Sequence, residues 1–409
     1  MDLEEDCRRC GNDAENGSAI SVHAALRASS MVEWDAELAG VKMHTWGGVL
    51  LTVLGLGLVT GSESLTSPNP VVVGPDPDHG PLDQRHLALV INQNDPLSQA
   101  IGRHYIRARQ IPDSQVIRVS LPADRSDISA KDFRALRHSV LRQTPSHVQI
   151  YALAWVQPYR VGCQSITSAF AHGLDVSQSC GGRCGASATN PYFARGDIRR
   201  PWSQLGIRPT MMLAATSAWE ARRLIDRGVA ADGSRPPGTA YLLSTEDPAR
   251  NVRAAGFSSI ASTIGPSFRV RVLEGNALRG AGDVMAYFTG LAFVPHLRSN
   301  RFRPGAVADH LTSLGGKLTD SSQMSVLRWL EAGATGSYGT VSEPCNITAK
   351  FPNPGLVLAY YLRGDTLIEA YWRSVALPSQ GIFVGEPLAR PWPVRPESLT
   401  IGIKEQEQR

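Results

Sequence analysis

The chain has 409 residues, 42% hydrophobic and 19% charged, a balance that builds a globular core and excludes a disordered polyelectrolyte. Its 41 basic and 37 acidic residues leave a formal charge of +4, and no run of five Lys or Arg occurs. Capture of nucleic acid or of an anionic membrane by charge alone is therefore not expected.

Residues 1–42 carry Asp2, Glu4, Glu5, Asp6, Asp13, Glu15, Glu33, Asp35 and Glu37 against four basic residues, with no apolar periodicity. They read as a disordered lead or an over-extended start. The uncharged run Trp46–Val59 follows; it is short of the roughly 20 residues of a membrane span and suits the apolar region of a signal peptide. Thr60, Gly61 and Ser62 supply small residues for cleavage, although Lys42 is the only nearby positive charge. Gly47, Gly48, Gly55 and Gly57 argue against an ordinary buried helix. Residues 43–61 are thus expected to export the chain to the periplasm or cell surface, as a cleaved signal or a retained anchor. Residues 62–84, rich in Pro, Gly, Ser and Asp, form a linker.

From Arg85 on, apolar runs alternate with amphipathic stretches. His86–Asn92 predicts a strand buried on both faces, with a helix after it through Arg109. Val116–Leu121 predicts a strand, Asp132–Gln143 a helix and Val148–Trp155 a third strand. After an irregular stretch, PTMMLAAT leads into a helix at Ala218–Gly228, and GTAYLLST into a helix from Pro248 followed by the strand FRVRVL. DVMAYFTG, AVADHLTS and TGSYGTV predict three further core strands, with a helix Ser321–Ala332 between the last two, capped by Ser321 or Ser322. Thr366–Ser374 predicts a last helix before GIFVGEPLARP. The expected fold is α/β, a mostly parallel sheet covered by helices on both faces. It occupies residues 85–395, in an N-terminal half of 85–275 and a C-terminal half of 276–395; residues 396–409 are a polar tail.

Most of these strands end on small polar residues. The ends are Asn92, Asn94 and Asp95; Gln157; Thr216 and Ser217; Thr245, Glu246 and Asp247; Thr289; Thr312 and Ser313; Thr340, Ser342 and Glu343. In open parallel sheets the ligand crevice lies beyond the carboxyl ends of the strands, so Asn92, Asn94, Asp95, Gln157, Arg160, Thr245, Asp247, Thr289 and Glu343 are the candidate binding residues. The same residue types also cap helices and turns, and that plainer reading competes at each position.

LVINQNDPLSQAIGRHYIRARQIP, YALAWVQPYRVGCQSITSAF and the run from Asp283 to Pro391 resemble a bacterial family of unassigned activity. That family occurs in genomes carrying exosortase, the membrane enzyme of a protein-sorting system tied to exopolysaccharide. The resemblance implies an association with exported proteins or surface polysaccharide, not a reaction. The C-terminal third also resembles, more weakly, the gingipain-type caspase-like peptidases. There a strand ending in Gly-His-Gly precedes one ending in the nucleophilic Cys, and a Gly-Asp-Pro closes the fold. Here those positions read Phe288-Thr289-Gly290, Thr312-Ser313 and Gly385-Glu386-Pro387, which implies the scaffold without the thiol chemistry. A substitute nucleophile would be Ser313, with His296 as base and Asp320, or Asp309, to orient it. His310 lies three residues before Ser313 and in a strand points to the other face.

Cys163, Cys180, Cys184 and Cys345 of the folded part are an even number, read as two disulfides in an oxidising compartment, with a zinc site on the Cys180–Cys184 spacing as the rival. The irregular stretch around Tyr159, Tyr192, Phe193 and Trp202, with Arg160, Arg195, Arg199 and Arg200, either presents a binding surface or packs on itself. No cofactor is expected, no nucleic-acid partner, and membrane contact only through the N-terminal segment. Two functions stand: an exported binding or accessory protein, or a peptidase-like or glycan-directed hydrolase.

Overall fold

The computed structural model describes residues 80–175 and 187–393. The acidic lead, the export segment, most of the linker, Cys180, Cys184 and the polar tail lie outside the described residues.

In chain order the elements are β1 (Leu87–Asn92), α1 (Pro96–Arg109), β2 (Val116–Val119), α2 (Ala130–Gln143), β3 (Ile150–Leu153), β4 (Arg160–Val161), β5 (Gln164–Ser165) and α3 (Ile166–His172). There follow α4 (Pro201–Leu205), β6 (Thr210–Met212), α5 (Ala218–Ala231), β7 (Thr239–Ser244), α6 (Phe257–Ile264), β8 (Val270–Glu274), β9 (Val284–Thr289) and β10 (Phe302–His310). Last come α7 (Leu327–Ala332), β11 (Gly336–Thr340), α8 (Pro354–Leu362), α9 (Leu367–Trp372) and β12 (Gly381–Gly385).

Ten strands form one sheet in the order β2-β1-β3-β6-β12-β11-β10-β9-β7-β8, and β4 and β5 make a separate small hairpin. The sheet is mostly parallel; β12 runs antiparallel to β11 from Gly381–Thr340 to Gly385–Gly336 and meets β6 at Val384 and Met212. Alternation along the strands divides the core cleanly. Leu87, Leu89 and Ile91 face one cluster with α1, α6, α8 and α9, while Ala88 and Val90 face the other with α2, α3 and α7. Helices therefore cover both faces, and the α/β expectation holds. The residues 239–274 of β7 and β8 lie on the β9 side of the sheet.

Two local expectations change. The segment 321–326 is not helical, and only Leu327–Ala332 is. Ser321 Oγ donates to Leu314 O and accepts from Gln323 N, while Met324 N and Val326 N bond to Ala292 O and Gly315 O, so this backbone is spent outside a helix. Conversely α8 forms where no helix was read. Asn353 Oδ1 accepts from Leu356 N at 3.2 Å and Pro354 opens the helix, an ordinary cap-and-proline start.

Contacts beyond the strand ends fix the polarity of the two halves. Beyond the carboxyl ends, Gln157 Nε2 donates to Thr319 Oγ1 at 2.9 Å, and Ser342 Oγ donates to Cys163 O at 2.8 Å. At the amino edge, Arg109 at the end of α1 donates to both carboxylate oxygens of Glu386, just after β12, at 3.0 and 2.5 Å. Tyr105 OH donates to Glu386 Oε1 at 2.8 Å, and Arg109 also pairs with Asp232. Glu386 has no exposed surface, so this ion pair depends on its full set of donors. Gly228 in α5 is part of that fit, because a Cβ there would lie 2.6 Å from the Glu386 carboxylate.

Replacing Glu386 by Ala leaves Arg109 without its buried partner and is expected to cost about 3–5 kcal/mol in urea denaturation. Arg195→Ala, at the exposed Arg195–Asp197 pair, should cost under about 1 kcal/mol in the same assay.

Candidate functional site

The candidate residues fall into separate groups along the carboxyl edge. Asn92 is fully buried: its Oδ1 accepts from Leu121 N at 3.0 Å and Asn94 N at 3.1 Å, and its Nδ2 donates to Leu121 O at 3.2 Å. Asn94 Nδ2 reaches the same carbonyl at 3.4 Å, and Asp95 caps α1 through Leu97 N at 2.8 Å. This trio fastens β1 to the chain leaving β2. β1 and β9 are six places apart in the sheet, about 29 Å at the usual strand spacing, so the trio shares no site with Thr289.

The remaining groups converge around the end of β10. Gln157 meets Thr319, Tyr159 OH donates to Asp320, and Thr340 Oγ1 donates to Ser313 O at 2.8 Å. On the β7 and β9 side, Thr245 Oγ1 donates to Gly290 O at 2.7 Å, and Asp247 pairs with Arg250 at 2.8 Å. Gly290 must be glycine, since a Cβ there would overlap the Arg250 carbonyl oxygen. Arg250 Nε then donates to Thr312 Oγ1 at 3.1 Å, and Thr312 donates to Gln323 Oε1 at 2.7 Å. Gln323 Oε1 also accepts from Leu314 N at 2.7 Å. Arg250 and Gln323 were absent from the residues singled out in the sequence, yet they join the group. Only the Asp247–Arg250 spacing of three residues could have drawn notice.

Thr289 lies beside this group but is 1% exposed, with its Oγ1 unpaired and its carbonyl accepting from Arg253 Nη2 at 2.9 Å. Glu343 bonds locally to Cys345 N at 2.7 Å. Arg160 is on the β4–β5 hairpin, bridged to Asp127.

The imidazoles and carboxylates read as catalytic have other engagements. His310 is 1% exposed; Trp329 Nε1 donates to its Nδ1 at 2.9 Å, so its Nε2 carries the proton and donates to Met324 O at 3.1 Å. Both nitrogens are used, and burial holds its pKa down at about 3. Asp309, on the opposite face of β10, pairs with Arg253 at 2.6 Å; burial raises its pKa while Arg253 opposes that rise. His296 is exposed in a left-handed turn with φ 59°, and its carbonyl accepts from Ser299 N at 3.0 Å. Among the described residues no hydrogen bond joins Ser313 Oγ to an imidazole or a carboxylate.

Cys163 and Cys345 are disulfide-bonded rather than free, and Cys180 and Cys184 fall outside the described residues, so the pairing is not described. The aromatics of the irregular stretch pack inward: Arg373 lies over Tyr192 at 4.6 Å and Arg208 over Trp202 at 3.4 Å. Arg195 pairs with Asp197, and Arg199 with Asp365.

No family model and no curated protein matches the chain. A solved structure described as "Structure of Protease" superposes with a TM-score of 0.37 at 11% identity, over 75% of this chain and 78% of that chain.

His310 titrates at about 3 in the folded chain against 6.5 as a free imidazole, so the unfolded chain takes up a proton that the fold refuses. Its contribution to stability is complete above about pH 6.5 and is lost as pH falls toward 3. In NMR the His310 ring should stay neutral, as the Nε2–H tautomer, down to about pH 5; a ring titrating near its free value would contradict the buried Trp329 contact.

Proposed function

We propose that this chain is an exported binding or accessory protein built on a caspase-like scaffold and working without a nucleophile. The observation that carries the reading is Thr312, at the end of β10 where the related peptidases hold their thiol. Its hydroxyl proton is donated to Gln323 and its lone pair accepts from Arg250, so it is a fixed structural link rather than an activated group. His310 does not serve as a base either, because it is sealed in the core and both its nitrogens are bonded. What remains is a polar edge of Gln157, Thr319, Arg250 and Gln323, held in place by the buried Thr312 and able to hydrogen-bond a peptide or a sugar hydroxyl. The resemblance to an exosortase-associated family supports a partner among exported proteins or surface polysaccharide. Export itself rests on the Trp46–Val59 segment.

A second reading, hydrolysis through Ser313, is favoured by one fact: its half-buried hydroxyl has no hydrogen-bond partner among the described residues. Complementation of a deletion separates the two. Ser313→Ala with His296→Ala should behave as wild type, whereas Thr312→Val with Arg250→Ala should lose function while keeping the fold. The reverse result would favour the hydrolase.

The oxidised state of Cys163 and Cys345 supports a reading of two bridges among Cys163, Cys180, Cys184 and Cys345. Protein recovered from the periplasm and unfolded without reductant should show none of these four as a free thiol; four free thiols would overturn both the bridges and export.

A further inference from the structure

Charge is not spread evenly over the two edges of the sheet. At the amino edge, Arg269 precedes β8, Arg279 precedes β9, and Arg298, Arg301 and Arg303 precede or open β10. Two loops are sewn together there: Arg301 N donates to Ala281 O at 2.7 Å, Val284 N to Arg301 O at 3.0 Å, Ala281 N to Asn300 Oδ1 at 3.0 Å and Gly280 N to Ser299 Oγ at 3.2 Å. That stitching brings Arg279 beside Arg298 and Arg301. The backbone bond from Ala240 N to Arg269 O and that from Thr239 N to Asp283 O set Arg269 next to the same rim. Arg269, Arg279, Arg298 and Arg301 are exposed and Arg303 is partly so.

One carboxylate answers these five cations. Asp283 lies 3.8 Å from Arg269; burial opposes its ionisation, but hydrogen bonds from Thr239 and Tyr241, and then the charges of Arg269 and Arg303, hold its pKa down. Asp283 is itself claimed by Thr239 Oγ1 and Tyr241 OH, both at 2.7 Å. None of Arg279, Arg298 and Arg301 has a carboxylate within ion-pair distance among the described residues. Charges that only decorate a soluble surface are normally interspersed with the opposite sign; this rim is not.

We propose that the arginine rim at the amino edge of β8, β9 and β10 binds an anionic bilayer surface. The sequence ahead of the described residues favours a membrane over a soluble polyanion. Gly80, the first described residue, accepts from Arg200 Nη1 at 2.9 Å and lies a few residues ahead of β1. In the sequence the uncharged run Trp46–Val59 precedes Gly80, and an apolar segment joined to a cationic patch in one chain is the pairing of weak signals that holds proteins on membranes. The rim itself is independent of the reading of Thr312 and of the export segment.

The test uses the full chain and sedimentation with two kinds of vesicle, pure phosphatidylcholine and phosphatidylcholine carrying about 30% phosphatidylglycerol. Whatever the apolar run contributes is common to both, so the readout is the preference for the anionic vesicle. Wild type should prefer it strongly, and raising salt to about 0.5 M should abolish the preference. Each arginine near such a surface is worth about fivefold in affinity, so Arg279→Ser with Arg298→Ser and Arg301→Ser should lose about a hundredfold. Arg107→Ser with Arg142→Ser and Arg222→Ser, equally exposed but elsewhere, should lose little. An unchanged preference in the first variant, with its unfolding midpoint also unchanged, overturns the proposal. So does a wild type that ignores anionic vesicles but is retained by an immobilised acidic polysaccharide. If the variant's midpoint falls, Arg298→Lys, which keeps the charge and so the preference, and Arg298→Glu, which reverses it, decide the matter.

Discussion

A carboxylate with no exposed surface is tolerated only where cations and donors surround it, and Glu386 is such a carboxylate. Its partners come from α1 and, through Asp232 on Arg109, from the chain leaving α5. Glu386 itself follows β12, the strand that lies between β6 and β11. One ion pair therefore ties the helix layer of the first half of the sheet to the closing strand of the second. Several other features follow from it. Gly228 leaves room within α5 at the usual helix cost of a glycine, and Arg390 N bonds Asp232 to bring the last described segment back across the edge. The Gly385-Glu386-Pro387 run, read first as an altered closing motif, is the clasp of the whole sheet.

With the amino edge closed in this way, the carboxyl edge is where loops from both halves can meet. They do so mostly by neutral hydrogen bonds: Gln157 to Thr319, Ser342 to Cys163, Arg250 to Thr312 to Gln323. The last chain illustrates how a nucleophile position can be turned to structure. A hydroxyl whose proton is given to an amide oxygen, and which accepts from a guanidinium, has no proton left to offer a base. Trp329 removes the neighbouring imidazole from chemistry by the same logic, occupying the one nitrogen of His310 that could accept a proton.

How much of this was legible in the sequence differs by scale. The apolar strands were, because a strand buried on both faces reads as an unbroken apolar run, as in Leu87–Ile91. The polar strand ends were also legible as residues, but not as a site. Asn92 and Thr289 carry the same kind of signal, and only the strand order separates a fastening of β1 to β2 from a residue beside β10. The helix expected over 321–332 overran because Ser321 and Ser325 spend their side chains on Leu314 O and Leu318 O, partners that lie seven residues away. Arg250 and Gln323 were illegible for the opposite reason. Nothing in their local sequence is unusual, and their roles exist only once β7 and β10 are placed on either side of β9.

Charge shows the same limit most clearly. A net value of +4 spread over the whole chain argues against any electrostatic partner, and the sequence contains no basic run to say otherwise. The fold changes the sum into a distribution. Acidic side chains such as Asp247, Asp365 and Glu386 are each paired with arginines close to them. The arginines near β8, β9 and β10 have one carboxylate among them, and backbone bonds between two loops set them side by side. A field at the surface depends on that local imbalance and decays within about 10 Å in salt, so the distant acidic residues that balance the total do not cancel it. An anionic surface meeting this edge would leave the carboxyl edge, with its Gln157, Thr319 and Arg250, facing away and open to a partner.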